Sequence, residues 1–258
     1  MRWVGALFLF GLIFAAIIFL LPKPEGFPIL EYHTITENPM EGSEVYNVTP
    51  EEFAAQLDYL QQNGYTTITL REFMQAKHGK ITLPEKPIIL TFDDGYDNNY
   101  TEMLPILEAH DMKAVVYVIT NELGKEGYLT LDQVKDMQGR GVEIGSHTAD
   151  HIPLVMLDEN ILLNQVRYSK IFLEWSGLET IYTFSYPNGE YNLDLTKLLQ
   201  QEGYLTAVTG DVGLNTLDSN PYTLKRVHIR KPRFGITEFK WRLLKAELAE
   251  KIKSIFNF

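Results

Sequence analysis

The sequence Pro87-Ile88-Ile89-Leu90-Thr91-Phe92-Asp93-Asp94-Gly95-Tyr96 decides how this chain folds. Six residues of mostly apolar, β-prone character run directly into two adjacent carboxylates and a glycine, which is how a buried strand delivers acidic groups to its exposed end. Two adjacent aspartates repel each other when both are ionised, so such a pair usually faces a positive charge, most often a metal ion. An ordinary strand followed by an Asp-Gly turn would give the same local pattern.

A second stretch adds candidate metal ligands. Ser146-His147-Thr148-Ala149-Asp150-His151 follows the apolar segment 142–145 and places two imidazoles four residues apart. On a helical turn, histidines at this spacing face the same way and can share one ion, and a single carboxylate completes a set of three ligands. The spacing alone is weak evidence. Zinc peptidases carry a glutamate directly after the first histidine, but Thr148 stands there, so the general base must come from elsewhere, and Asp93 is free.

Composition narrows the chemistry. The 258 residues are enough for one large domain or two small ones. The chain has no cysteine, so a metal must be held by nitrogen and oxygen ligands from His, Asp and Glu. The formal net charge of -11 argues against a nucleic-acid partner, because no basic stripe neutralises phosphates. By the same argument, a neutral or cationic substrate is easier to accommodate.

The N-terminus has the pattern of a membrane span. From Trp3 to Leu21 the chain carries no charge, and Pro22-Lys23-Pro24 ends this apolar run, which is long enough to cross a bilayer. A cleavable signal peptide, the alternative, would have a shorter apolar region and small residues at the cleavage site, where this chain has bulky ones. We therefore expect residues 1–22 to be an uncleaved anchor that holds the domain at 23–258 on the extracytoplasmic side.

The remaining sequence alternates short β-prone runs with helical patterns. Strands are predicted near 27–32, 65–69, 87–92, 114–118, 142–146, 182–186, 205–208 and 223–229, and helices near 49–62, 71–77, 99–109, from 130, near 158–175, 194–202 and 237–258. Such alternation predicts an α/β fold of parallel βαβ units, and seven to eight of them predict a closed or nearly closed barrel. Because active-site groups of barrels lie at the carboxyl ends of strands, His33, Asp93, Asp94, His147 and His228 are candidates.

These residues resemble a known family. The segments Thr91-Phe92-Asp93-Asp94-Gly95, His147-Thr148-Ala149-Asp150-His151 and Phe184-Ser185-Tyr186-Pro187-Asn188-Gly189 are similar to the first three motifs of the polysaccharide deacetylases, carbohydrate esterase family 4, also called the NodB-homology domain. The resemblance covers roughly residues 27–230. The opening segment 28–33, followed by 49–53, resembles the exopolysaccharide subgroup, the poly-N-acetylglucosamine deacetylases.

The resemblance implies a distorted (β/α) barrel, one divalent metal ion and hydrolysis of an N-acetyl, sometimes O-acetyl, group on a sugar. It implies that Asp94, His147 and His151 are the metal ligands and that Asp93 is the general base. Two imidazoles and one carboxylate suit zinc, our first choice, and also cobalt, iron or nickel. The third motif, Tyr186, Pro187 and Asn188, would contact the substrate, with a backbone N–H at Asn188 stabilising the oxyanion.

This chain departs from the family pattern in two places. The family often has an arginine in the third motif that braces the base, and Ser185 stands in its place, so Arg226 and Arg230 become candidates for that contact. The later Asp-Trp motif of the family is not recognisable near residues 211–215.

The general acid is open between two histidines. His228 fits the late Leu-x-His position of the family but lacks the leucine, whereas the exopolysaccharide subgroup implies that His33 takes this role. First and last strands of a closed barrel are neighbours, so both side chains can reach the same face. We favour His33, with His228 as the alternative.

The expected function is metal-dependent removal of N-acetyl groups from N-acetylhexosamine units of a cell-surface polysaccharide, whether peptidoglycan, exopolysaccharide or chitin-like, with release of acetate. The expected partners are an acetylated glycan and, through the N-terminal helix, the membrane, with no nucleic acid. Two alternatives are an amidase that uses the same site on a non-sugar amide and a glycan-binding protein on an inactive enzyme scaffold. The intact base and three ligands argue against the second.

Overall fold

Seven parallel strands close into a barrel in the computed structural model, which describes residues 24–256. In chain order the strands are β1 (Ile29–Tyr32), β2 (Thr34–Ile35), β3 (Asn47–Val48), β4 (Thr66–Thr67), β5 (Pro87–Phe92), β6 (Val115–Val118), β7 (Glu143–Ser146), β8 (Thr183–Ser185), β9 (Thr206–Val212) and β10 (Leu224–His228). The barrel order is β1-β10-β9-β8-β7-β6-β5, and β5 pairs back with β1. The predicted parallel α/β barrel is therefore confirmed.

Three short strands lie outside this ring. The predicted strand at 65–69 shrinks to β4, which pairs only with the first two residues of β5, while β6 pairs with the last two. Strands β2 and β3 form a separate parallel pair after β1.

Helices cover the outside of the barrel. They are α1 (Pro50–Gln62), α2 (Leu70–Lys77), α3 (Leu104–Ala109), α4 (Leu131–Gly139), α5 (Glu159–Leu163), α6 (Ser169–Trp175), α7 (Leu193–Gln201) and α8 (Ile236–Phe256). A π-helical turn, Asn164–Tyr168, separates α5 from α6 where the sequence predicts one continuous helix. Capping boxes begin α1 and α4, where Thr49 and Thr130 exchange hydrogen bonds with Glu52 and Gln133, three residues further on.

Alternate residues of each strand face the helices or the barrel interior. In β5, Ile88, Leu90 and Phe92 pack in the large core beneath the helices, and Ile89 packs in a second cluster inside the barrel. Because side chains alternate with a period of two, the same alternation directs Thr91 and Asp93 inward. The strand pattern thus sends the acidic end of β5 into the barrel mouth.

The helices of the described residues were compared with the length and apolarity that a membrane span requires. Between residues 24 and 256, no helix is both long and apolar enough to cross a membrane. The anchor predicted within residues 1–22 lies outside the described residues, so it stays a prediction.

Candidate active site

The carboxyl ends of the barrel strands surround a cavity of about 720 Å³. Most of the predicted site residues line this cavity, namely His33, Asp93, Asp94, His147, His151, Asn188 and His228. They come from β1, β5, β7, β8 and β10 or from the loops that follow these strands. The barrel therefore collects side chains that are almost 200 residues apart in the sequence (His33 and His228).

Three of these residues form a candidate metal centre. Oδ1 of Asp94 lies 3.4 Å from Nε2 of His147 and 3.6 Å from Nε2 of His151. Ligands that share a zinc ion at about 2.0–2.1 Å in tetrahedral geometry lie about 3.3 Å apart, so these separations suit one shared ion. Oδ1 of Asp94 is buried and accepts no hydrogen bond in the structure, as expected of an oxygen reserved for a cation. Nitrogen and oxygen donors of this set fit a divalent transition metal.

The protein fixes the orientation of the histidines. Nδ1 of His147 lies 2.8 Å from the carbonyl oxygen of Ser185, and donation of its N–H there leaves Nε2 free to face Asp94. Burial would lower the pKa of His147, but the carboxylates of Asp93 and Asp94 outweigh this effect and raise it. In His151, burial and the charge of His147 together lower the pKa. Burial opposes ionisation of Asp94, but His147 lowers its pKa, so this carboxylate is ionised and suited to bind a cation.

The segment between the two histidines is not the helical turn that the spacing suggested. Residues 147–151 form an irregular loop, in which Thr148 and His151 adopt φ angles of 69° and 55°. The Thr148 hydroxyl accepts a hydrogen bond from the backbone N–H of His151 at 2.9 Å and stabilises this shape. Left-handed backbone, rather than helical periodicity, therefore brings the imidazoles together.

Backbone strain concentrates at this site. The described residues include five non-glycine residues with positive φ, and four of them lie here: Asp94, Thr148, His151 and Asn188. Such conformations cost on the order of 1–3 kcal/mol each and persist where the surroundings enforce them. The fold holds these side chains in place at the expense of local strain.

Arg226 braces Asp93 in place of the missing third-motif arginine. Nη1 and Nη2 of Arg226 donate to Oδ1 and Oδ2 of Asp93, both at 2.8 Å, and the Ser185 hydroxyl donates to Oδ2 at 3.1 Å. Burial would favour a protonated Asp93, but Arg226 and His147 hold the pKa of this carboxyl well below its usual range. Of the two candidates, Arg230 does not make this contact and instead lies over the Tyr46 ring, 5.3 Å from its centroid.

The ionic contacts continue beyond Arg226. Its Nη2 lies 2.8 Å from Oε2 of Glu31, and Oε1 of Glu31 lies 2.8 Å from Nδ1 of His228. Nε2 of His228 lies 3.0 Å from the carbonyl oxygen of Gly210. The Glu31 carboxylate raises the pKa of His228 and so favours its protonated form, although the contact at Nδ1 is an ion pair without hydrogen-bond geometry.

His33 has the opposite environment. Its ring packs against Tyr46, with centroids 4.7 Å apart, and its buried Nδ1 has no hydrogen-bond partner in the structure. His33 and the two aspartates line the same cavity. Nδ1 lacks a hydrogen-bond partner in both candidate acids, but in His228 it lies 2.8 Å from the Glu31 carboxylate, which forms an ion pair with the protonated ring.

The residues of the third motif have different roles: Tyr186 and Pro187 are buried, and Asn188 lines the cavity. The Tyr186 ring is fully buried, and its hydroxyl donates to the carbonyl of Tyr222 at 3.1 Å, so this side chain supports the wall from outside the cavity. Pro187 is also buried. Asn188 lines the cavity with φ 57°. At the following Gly189, a Cβ would come within 2.3 Å of the Gly210 backbone. The close approach of this turn to β9 is possible only for glycine.

Sequence reasoning missed several site residues. Glu31 was assigned no role, although a charged residue in the apolar strand Ile29-Leu30-Glu31-Tyr32, in register with His228, was the available signal. Tyr96 and Tyr128 form a stacked pair on the wall, 5.2 Å between centroids, and the loop 40–46 forms another part of the wall. No sequence pattern marked these long-range contacts.

Comparisons with known proteins agree with this geometry. A family model described as polysaccharide deacetylase matches residues 80–207. The chain is 34% identical over 207 residues to YxkH of Bacillus subtilis (strain 168), whose name provisionally describes it as a polysaccharide deacetylase, and the match covers 80% of this chain and 72% of YxkH. It is 25% identical over 210 residues to a poly-beta-1,6-N-acetyl-D-glucosamine N-deacetylase of Staphylococcus aureus (strain MSSA476), with 76% and 72% covered.

A solved structure shows the same architecture. The Streptococcus pyogenes deacetylase PplD in complex with acetate matches with a TM-score of 0.77 and 27% identity, over 87% of this chain and 99% of that one. The match extends beyond the motifs to most of the described barrel. On these similarities, the chain belongs to the polysaccharide deacetylase family.

Proposed function

We propose that this protein hydrolyses N-acetyl groups on N-acetylhexosamine units of a cell-surface polysaccharide in a metal-dependent reaction and releases acetate. The proposal rests on two adjacent features. Asp94, His147 and His151 bring three potential metal ligands together, and Oδ1 of Asp94 accepts no hydrogen bond. Beside them, Arg226 donates hydrogen bonds to the carboxylate of Asp93. The Staphylococcus relative, named as an N-deacetylase of poly-N-acetylglucosamine, supports the choice of substrate class.

Asp94, His147 and His151 would hold the metal ion. A divalent cation bound there would lower the pKa of a water molecule and polarise the amide carbonyl, which contributes several kcal/mol to transition-state stabilisation. Zinc is our first choice for this ligand set, and the set also suits cobalt, iron or nickel.

Asp93 acts as the general base. A carboxylate has about four acceptor positions, of which Arg226 occupies two and Ser185 one, so one remains for the proton of the attacking water. Because Arg226 keeps Asp93 ionised, the base is in its active form throughout the neutral pH range. The water oxygen forms a bond to the acetyl carbon as its proton moves to Asp93.

His33 acts as the general acid. When the tetrahedral intermediate collapses, the C–N bond breaks, and a proton from His33 reaches the leaving nitrogen, giving acetate and an amino sugar. We favour His33 over His228, because His228 is held by an ion pair with Glu31 at Nδ1 and by the Gly210 carbonyl at Nε2. Asn188 on the cavity wall is proposed to contribute its backbone N–H to the developing oxyanion.

The test combines metal analysis with an acetate-release assay. Asp94→Ala, His147→Ala and His151→Ala are expected to lose both bound metal, measured by mass spectrometry, and acetate release from N-acetylglucosamine oligomers. Asp150→Asn is the matched control, since Asp150 lies in the same loop but its oxygens accept from Asn121 and Gln165, both at 2.6 Å. Stoichiometric metal in a His147→Ala/His151→Ala double variant would contradict the ligand assignment.

We also propose that residues 1–22 anchor the domain at the outer face of the membrane. The support is the uncharged run 3–21 in the sequence, and intact-mass measurement of protein extracted from membranes tests it. A species that begins near Lys23 would contradict the anchor and indicate a cleaved signal.

A further inference from the structure

A second cavity of about 430 Å³ adjoins the candidate active site. We call it the rim cleft and define it by Val45, Arg230, Lys231, Arg233, Phe234 and Trp241, together with the ion pair of Glu238 and Arg242. Arg230 also lines the catalytic cavity, as does Tyr46, the chain neighbour of Val45. A ligand longer than the catalytic cavity can therefore continue directly into the rim cleft.

The rim cleft is locally basic in an acidic protein. Arg230, Lys231 and Arg233 are exposed, and none of them forms a salt bridge with another residue in the described part of the chain. The one carboxylate that lines the cleft, that of Glu238, lies 2.5 Å from Arg242, which also lines it, and accepts a hydrogen bond from the Arg233 backbone N–H at 2.7 Å. The exposed Glu44 interacts with Lys231 but does not pair with it. Positive charge thus exceeds negative charge here, although the whole chain carries -11.

Exposed apolar groups lie among these cations. Phe234, Trp241 and Val45 are 76%, 54% and 49% exposed. Large aromatic side chains left in water beside a site are typical of a recognition surface, since their faces pack against the apolar faces of a ligand's rings. The combination of aromatic faces with unpaired guanidinium and ammonium groups suits a chain of sugar rings that carries negative charges.

We propose that the rim cleft binds sugar units next to the unit being deacetylated and that these neighbouring units carry anionic groups, such as carboxylates or phosphates. This inference rests on the proposed function and specifies the substrate class as an acidic, acetylated glycan. It revises the expectation, based on net charge alone, that neutral or cationic substrates are easier to accommodate. The local charge of the surface that a substrate contacts outweighs the charge of distant residues, because salt screens interactions beyond about 8–10 Å.

An anionic membrane surface is the competing occupant, and the chain path argues against it. The rim cleft follows the carboxyl end of β10, whereas Phe27, which pairs with Asn215, leads into the opposite end of β1. The predicted anchor precedes Phe27, so it would hold the barrel by the end opposite the rim cleft. Continuity with the catalytic cavity favours the glycan as well.

The experiment compares two matched probes on the full chain in a non-ionic detergent. One is a neutral 1,4-linked N-acetylglucosamine pentamer, in which the C6 hydroxyls are free, and the other is the same pentamer oxidised at C6 to carboxylates. The wild type is expected to prefer the oxidised pentamer about tenfold in kcat/KM, mainly through KM, and high salt should reduce this preference. Lys231→Glu/Arg233→Glu should abolish the preference, while the distant double variant Lys80→Glu/Lys197→Glu, with the same change of charge, should keep it.

A binding measurement separates this inference from the proposed function. The chain has no cysteine, so Thr237→Cys gives a single site for an environment-sensitive dye beside the rim cleft. The dye should respond to the oxidised pentamer at about tenfold lower concentration than to the neutral one, whether or not acetate is released. Equal responses to both probes, or a preference that survives Lys231→Glu/Arg233→Glu, would overturn the inference.

The same labelled chain tests the membrane alternative. In vesicles of phosphatidylcholine with and without one third phosphatidylglycerol, the dye is expected to give the same signal. A signal that depends on phosphatidylglycerol and ignores the oxidised pentamer would assign the rim cleft to the membrane and refute its role in glycan binding. If the labelled chain binds the oxidised pentamer but releases no acetate from either pentamer, the proposed hydrolytic function would be contradicted, while the inference about the rim cleft would stand.

Discussion

Each end of the barrel holds a carboxylate with a buried oxygen, fully buried in Asp93 and half-buried in Glu143, and the pKa values of the two groups shift in opposite directions. At the carboxyl end, Asp93 lies in a bidentate contact with Arg226, which keeps its pKa well below the usual range. At the amino end, Glu143 begins β7, accepts one hydrogen bond from the Arg71 backbone N–H at 3.2 Å, and leaves its buried Oε1 without a partner. Burial raises the pKa of Glu143 to about 7.

The difference shows what sets the charge of a buried group. Burial alone favours the neutral form, and only a fixed opposite charge reverses this preference. The His228 imidazole follows the same rule, because the Glu31 carboxylate at 2.8 Å raises its pKa against the effect of burial. A charged partner, rather than the degree of burial, therefore distinguishes Asp93 from Glu143.

Asp93→Asn should give the largest loss of activity. The substitution removes the base but leaves the three ligands, so turnover is expected to fall about 10²- to 10⁴-fold with metal content unchanged. Acetate release and metal analysis on the same samples measure both. Glu143→Gln removes a half-buried carboxylate from the other end of the barrel and should leave turnover at the wild-type level. Near wild-type turnover in Asp93→Asn would mean that another residue is the base.

Arg226→Met tests the clamp through stability. It leaves Asp93 and Glu31 buried without their shared cation, and breaking a buried ion pair in this way costs about 3–5 kcal/mol in the free energy of unfolding. Denaturant unfolding measures the loss. The control is Arg167→Met, because Arg167 binds Glu202 with two contacts of 2.7 Å but is half exposed, so about 0–1 kcal/mol is expected. If both variants lost the same free energy of unfolding, the buried ion pairs of Arg226 would contribute no more to stability than an exposed ion pair does.

The two histidines should separate by pH profile. His33→Ala is expected to lower kcat about 100-fold and to remove the basic limb of the profile, because that limb reports loss of the proton from the general acid. His228→Gln should lower kcat less, about tenfold or below, and keep the basic limb, since it disturbs only the contacts of Glu31. Full turnover in His33→Ala, combined with loss of the limb in His228→Gln, would reverse the assignment.

Glu143→Gln should leave activity unchanged and alter the free energy of unfolding in a pH-dependent way. Because the folded-state pKa of about 7 lies above the ordinary value of 4.5, the stability that protonated Glu143 contributes is complete below about pH 4.5 and is lost as pH rises through 7. Relative to the wild type, the variant should gain up to about 3 kcal/mol at pH 8 and nothing near pH 4.5. Urea unfolding at both pH values measures this.

The control for that measurement is Glu179→Gln. Glu179 lies near the same end of the barrel and pairs with Arg71 at 2.9 Å, but its side chain is 62% exposed. It should change stability little at either pH. A pH-independent gain in Glu143→Gln would show that burial does not set the charge of Glu143.

Local patterns predicted much of the fold. The β5 boundaries match the sequence expectation, because an apolar β-prone run bounded by proline and an Asp-Asp-Gly turn has few alternatives. The capping boxes of α1 and α4 were readable because they depend on residues only three positions apart. The strand at 65–69 was overestimated, since only pairing with β5 decides how much of it becomes a strand.

The sequence by itself determined the alternation of elements, the placement of Asp93, Asp94, His147 and His151 at strand ends, and the absence of the usual arginine at Ser185. Only the tertiary structure decided that Arg226, rather than Arg230, replaces that arginine and that His228 is held while His33 is not. Local signals act over a few residues, whereas these contacts join strands that are neighbours only because β10 and β5 both pair with β1 when the barrel closes. Closure, and not local sequence, therefore sets the charges of the site.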